Sequence, residues 1–171
     1  MVNLRKGIYM VSTIKTKSLD KYYNISKVLL TLSPFVCLLY LSTGAARMGA
    51  SIQQVIEADP KFLIMFLASM VNPFIAYLLI YMHKRINDGD ISYAVVNLVV
   101  LIVAEFIFQN ALYMFLLGFI LYKTIKTYNI SIKSSFKDKI KDKFLMVISG
   151  GIVVIIFASI CLFATIRVEM F

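Results

Sequence analysis

The sequence predicts an all-α, polytopic membrane bundle of five transmembrane helices, with the N-terminus in the cytoplasm and the C-terminus outside. Three observations carry this expectation. Of the 171 residues, 60% are apolar and only 16% charged, against about 45–50% and about 25% in soluble domains. The apolar residues gather into four long runs. The basic residues, which lead the acidic ones 18 to 9, fall outside those runs, apart from Lys61 at the edge of one. A soluble enzyme, a disordered tail and a disulfide scaffold are excluded, since a soluble surface cannot be built from so little polar material. The net charge of +9 then reads as membrane sidedness and attraction to an anionic leaflet rather than nucleic-acid binding.

Residues 1–27 form a basic cytoplasmic arm carrying Arg5, Lys6, Lys15, Lys17, Lys21 and Lys27. That lead is long for a signal peptide, so 28–46 is read as the first span. Pro34 lies inside it and predicts a kink, because proline removes one helical hydrogen bond and crowds the carbonyl four residues back. The second span, 61–82, opens on Asp59-Pro60, a capping carboxylate followed by a residue suited to the first helical position. Pro73 predicts a second kink, and Asn72 beside it is a candidate polar group of a binding cavity. Asn87-Asp88-Gly89-Asp90 reads as a turn.

The third run, 91–122, has 32 residues, or about 48 Å of helix. One straight helix of that length would tilt by about 50° to stay in the hydrocarbon, beyond the observed range of about 40°. Four spans would leave nine basic residues on each side. Folding the run into a hairpin, with spans at 91–107 and 109–122, puts fifteen inside and three outside, as the positive-inside rule requires. A re-entrant hairpin satisfies the charges equally. The turn is expected at the run's polar cluster, Glu105, Gln109 and Asn110.

Segment 123–143 is expected to be one amphipathic basic helix. Ile125, Tyr128, Ile132, Phe136, Ile140 and Phe144 recur at three or four residues, and such a helix lies in the headgroup plane. Its Lys133, Lys137, Lys139, Lys141 and Lys143 are candidates for docking anionic lipid or a partner. The last span is 145–166. Tyrosines, in a chain without tryptophan, supply the interfacial belt. Small residues at Ala46 and Ala50, at Ser149–Gly151 and at Ala158–Ser159 predict close helix packing.

The candidate intramembrane functional residues are Glu105, Gln109, Asn110 and Asn72. Glu105 is the one ionisable group within an apolar run, and such groups are functional hypotheses by default. The hairpin puts it near the outer end of its arm, where a structural role at the interface is the plainer expectation. His83 reads as an isolated interfacial histidine, and Cys37 and Cys161 as packing residues. Neither a zinc-hydrolase helix, a nucleophile elbow nor a phosphate-binding glycine loop occurs. No catalytic residue, cofactor or metal is expected.

The leading expectation is a non-catalytic accessory subunit of a larger membrane assembly of transport, secretion or immunity type, paired with another integral protein or with itself. The alternative is a small oligomeric transporter or channel with Glu105 in its path, and it requires Glu105 to face protein or water rather than lipid. An unrecognised intramembrane enzyme would need a polar cleft joining His83, Asp88, Asp90 and Asn72. The bilayer with an anionic cytoplasmic leaflet is the expected environment. The 14 lysines against 4 arginines hint at a bacterial cytoplasmic membrane.

Overall fold

The computed structural model describes residues 2–140 and 144–170, with the side chains of 2–16 and 169 outside the description. Within these residues the chain is all-helical. The helices are α1 (Val2–Met48), α2 (Ile52–Ala58), α3 (Pro60–Asn87), α4 (Ile91–Ile107), α5 (Ala111–Tyr128), α6 (Ile132–Ile140) and α7 (Phe144–Met170). Three stretches are long and apolar enough to cross a membrane: Lys17–Met48, Pro60–Asn87 and Phe144–Val168. The 17 residues of α4 form a shorter apolar helix.

Local chemistry accounts for the boundaries. Ser51 and Gln54 cap α2 reciprocally, satisfying donors that a helix start leaves open. Asp59 accepts a bond from the Lys61 amide at 2.9 Å, and Pro60 sits at the first position of α3, as expected. Asp90 caps α4 through the Tyr93 amide. Gly89, at φ +88°, supplies the backbone that turns α3 into α4.

Several boundaries differ from expectation. The basic arm and first span are one helix of 47 residues; nothing between them breaks the backbone ladder. The second hairpin arm starts at Ala111 rather than 109, because Phe108–Asn110 form the turn and Gln109 stands at φ +59°. The segment 123–143 is not one helix. Residues 123–128 complete α5, Asn129 ends it in the left-handed region, and α6 covers only 132–140. Asparagine tolerates that conformation and commonly closes helices this way. Lys141 and Lys143 lie outside the described residues. Pro34 and Pro73 both sit inside continuous helices.

Helices α1, α3, α7, α4 and α5 pack in a closed ring, and α3 also meets α4 across it. The most buried of them is α4, whose Ala94–Leu98, Leu101, Ala104 and Glu105 are all covered. The short α6 lies against α4. Outward-facing side chains are large and apolar, including Phe35, Leu39, Phe106, Phe115 and Phe163, as a lipid-facing surface requires.

The small residues of α7 find their partners within the chain. A Cβ on Gly150 would stand 2.6 Å from Leu78 Cδ2, and one on Gly151 would stand 2.5 Å from Val100 Cγ1. Ala158 is fully buried, while Ala46 and Ser159 are exposed.

Candidate functional site

Three groups of polar side chains stand in the bundle, two at one end and one deeper. At one end of the bundle, His83 Nε2 lies 2.7 Å from Asp20 Oδ1, and Lys27 Nζ lies 3.0 Å from His83 Nδ1. If Lys27 donates to Nδ1, the ring proton is on Nε2 and is donated to Asp20. Tyr23 stacks on the imidazole with ring centroids 4.9 Å apart. His83 is therefore not isolated: it ties α3 to α1. Its acidic partner stands 63 residues away, so no local spacing revealed it. The one available signal was Asp20 and Lys27 seven residues apart, on one face of a helix. Burial, with the Asp20 carboxylate as the smaller cause, pushes the nearby Tyr128 phenol above its ordinary pKa.

A second group at the same end stands between α3, α4, α6 and α7. Arg85 donates to the Tyr81 hydroxyl at 2.7 Å and lies 5.2 and 5.4 Å from the ring centres of Tyr81 and Tyr93. Lys139 pairs with Asp90 at 2.8 Å. Of the basic residues expected to dock lipid, Lys139 is thus tied to the chain's own helix cap, whereas Lys133 and Lys137 are exposed. Asp90 acts as cap and ion-pair partner. The described residues hold no group of three or more metal-ligating side chains.

The third group lies deeper. Asn72 Nδ2 donates to Ser33 Oγ at 2.7 Å, joining α3 to α1. Ser69 Oγ donates to the Phe66 carbonyl. Ser33, Ser69 and Asn72 line a cavity of about 590 Å³ with Gln109, Asn110 and Thr165. Two tyrosines, Tyr40 and Tyr113, and both cysteines, Cys37 and Cys161, also line it. The structure thus brings Asn72, Gln109 and Asn110 to one cavity, three of the four residues singled out in the sequence. Ser33 and Thr165 were missed. Ser33 had one signal, its place before Pro34, matching that of Asn72 before Pro73.

Glu105 is 0% exposed, and neither of its carboxyl oxygens has a hydrogen-bond partner among the described residues. It lines an adjoining, mostly apolar cavity with Gln109, Asn110 and Met114, and shares that turn with the larger one. The carboxyl is covered by protein on every side. Its helix is the buried centre of the bundle, so the side chain turns inward. A charged carboxylate without donors in such surroundings is strongly disfavoured.

His83, Asp88, Asp90 and Asn72 share no cavity among those found. No protein-family model, no curated protein and no solved structure matches the chain.

Proposed function

We propose that the chain is a small, non-catalytic membrane transporter or channel in which Glu105 lies on the path of a proton or small cation. The burial of Glu105 inside the protein, away from lipid and without a partner, carries this reading. Intramembrane carboxyls that face a protein interior are characteristic of ion and proton pathways. Asn72 with Ser33, and Asn97 with the Val147 carbonyl, tie helices together, whereas Glu105 is the buried carboxyl without a partner among the described residues. In this reading the N-terminal helix, the turn at 88–90 and α6 face the cytoplasm of a bacterial cell membrane, so that fifteen of the 18 basic residues lie inside.

The test is reconstitution in liposomes with imposed proton, sodium and potassium gradients. At least one gradient should decay faster than in empty liposomes, and Glu105→Gln should slow that decay tenfold or more. Equal decay of all three gradients with and without protein overturns the reading.

The accessory-subunit reading has one observation in its favour. At 47 residues, α1 is about 70 Å long, roughly twice what a bilayer needs. Its basic first half would project into the cytoplasm as a docking helix. Purification from native membranes in mild detergent, followed by mass spectrometry, separates the two readings. A second membrane protein at constant ratio favours the subunit, and a monomer or homo-oligomer favours the transporter.

A further inference from the structure

The hairpin and the long helices share a measurable register. The adjacent Gly150 and Gly151 of α7 face Leu78 of α3 and Val100 of α4, so those two residues are level. Counting onward at about 1.5 Å per residue, Ile107 at the end of α4 is level with roughly residue 71 of α3 and residue 158 of α7. The Asn72–Ser33 bond transfers the same height to α1. Beyond it, α1, α3 and α7 each continue for eleven residues or more, to Met48, Pro60 and Met170, which is about 16 Å or more of helix. Below it, the Tyr23–His83 stack lies only about 16 Å away by the same count.

We propose that α4 and α5 form a re-entrant hairpin that enters from the cytoplasmic side and turns near the bilayer midplane. The cavity above the turn is then a water-filled vestibule, open to the non-cytoplasmic side, that admits small water-soluble molecules to the level of Gln109 and Asn110. The argument rests first on length. A hydrocarbon layer of about 30 Å is spanned by the three long helices, and a hairpin ending some 16 Å below their outer ends cannot reach its far surface. Backbone chemistry supports it. Phe108–Asn110 are not helical, and non-helical backbone at membrane depth persists only where protein covers it or water lines it. Gln109 is exposed and lines the cavity, opposite Ser33, Ser69 and Asn72. A cavity with that many polar groups holds water. The charge asymmetry is untouched, because a hairpin that returns to its own side leaves the parity of crossings unchanged.

This inference deepens the proposed function by supplying the outer half of the path, but it is tested without flux. The chain has no tryptophan, so a single introduced one reports depth unaided. Phe106, 70% exposed and two residues before the turn, becomes Phe106→Trp. Leu63, exposed near the outer end of α3, becomes Leu63→Trp. In vesicles of lipids brominated at different chain positions, Phe106→Trp should be quenched most by deep bromines and Leu63→Trp by shallow ones. Equal, shallow quenching of both would establish two full crossings and overturn the proposal. Water access uses the native cysteines that line the cavity. A charged, membrane-impermeant thiol reagent applied to the non-cytoplasmic face should modify the wild-type protein, and the signal should vanish in Cys37→Ser/Cys161→Ser. Protection from the charged reagent, together with modification by a membrane-permeant maleimide, overturns the vestibule. A deep turn and labelled cysteines with no ion flux would sink the transport reading and leave this topology standing.

Discussion

Asn72 donates a buried hydrogen bond to Ser33 at 2.7 Å, and each of the two residues immediately precedes a proline in its own helix. Pro34 and Pro73 remove a helical bond at nearly the same height on antiparallel α1 and α3. Among the described residues, this side-chain tie between the two helices in the middle of the bundle therefore falls where both ladders are weakened. It also forms part of the cavity wall.

Breaking that tie should cost stability in a way a mutant cycle can apportion. Ser33→Ala leaves the Asn72 amide without its acceptor, at about 1–3 kcal/mol. The coupling of Ser33→Ala with Asn72→Leu should be about 0.6–1.7 kcal/mol, the range for interhelical bonds in membranes. Thermal unfolding of the four proteins in one detergent measures it, and strict additivity would show that the bond contributes nothing.

The glycine pair on α7 should respond unequally to alanine. At Gly151 the new methyl meets a branch of Val100, whose side chain has little rotamer freedom. At Gly150 it meets the tip of Leu78, which can swing aside. Gly151→Ala should cost about 1–3 kcal/mol, and Gly150→Ala less. Val100→Ala should recover part of the Gly151→Ala loss. Failure of that rescue would remove the close α4–α7 contact as the explanation.

Glu105 should trade stability against activity. Glu105→Met keeps the volume and removes an unpartnered carboxyl from a covered site. The melting temperature should rise, with a gain of about 1–3 kcal/mol, while ion flux falls to the level of empty liposomes. A lower melting temperature would show that the carboxyl is held by groups that stabilise it, and that its role is structural.

At the other end of α1's contact with α3, Asp20→Ala removes the carboxylate that His83 contacts. Asp20 is half exposed, so solvent screening reduces the expected loss to about 0.5–1.5 kcal/mol. Amide exchange should then quicken at the facing segments of α1 and α3, but not in α7. Uniform loss of protection would contradict a local tie.

In the hairpin turn, Gln109 holds φ +59°, a conformation that costs a non-glycine residue about 1–2 kcal/mol. Gln109→Gly should be neutral or slightly stabilising by thermal unfolding, despite glycine's larger entropy loss. A marked loss would mean that the Gln109 side chain makes a contact worth more than the strain.

Sequence alone determined the all-helical class, the three long apolar helices, the start of α3 at Asp59-Pro60 and the need to fold residues 91–122 back on themselves. Each of these depends on summed transfer energies or on groups within four residues of one another, and both are legible in order along the chain. It also picked out Asn72, Gln109 and Asn110, since polar groups are costly in an apolar run. The break at Asn129 was less legible, because the apolar period continues through it and only a left-handed backbone reveals the stop. Tertiary structure alone decided what those residues meet. Ser33 and Asn72 are 39 residues apart, and Asp20 and His83 are 63 apart. It also decided that Glu105 turns inward and that the hairpin ends beside Asn72. Such pairings follow from how helices of unequal length pack side by side, and no local pattern encodes the height at which a neighbour stops.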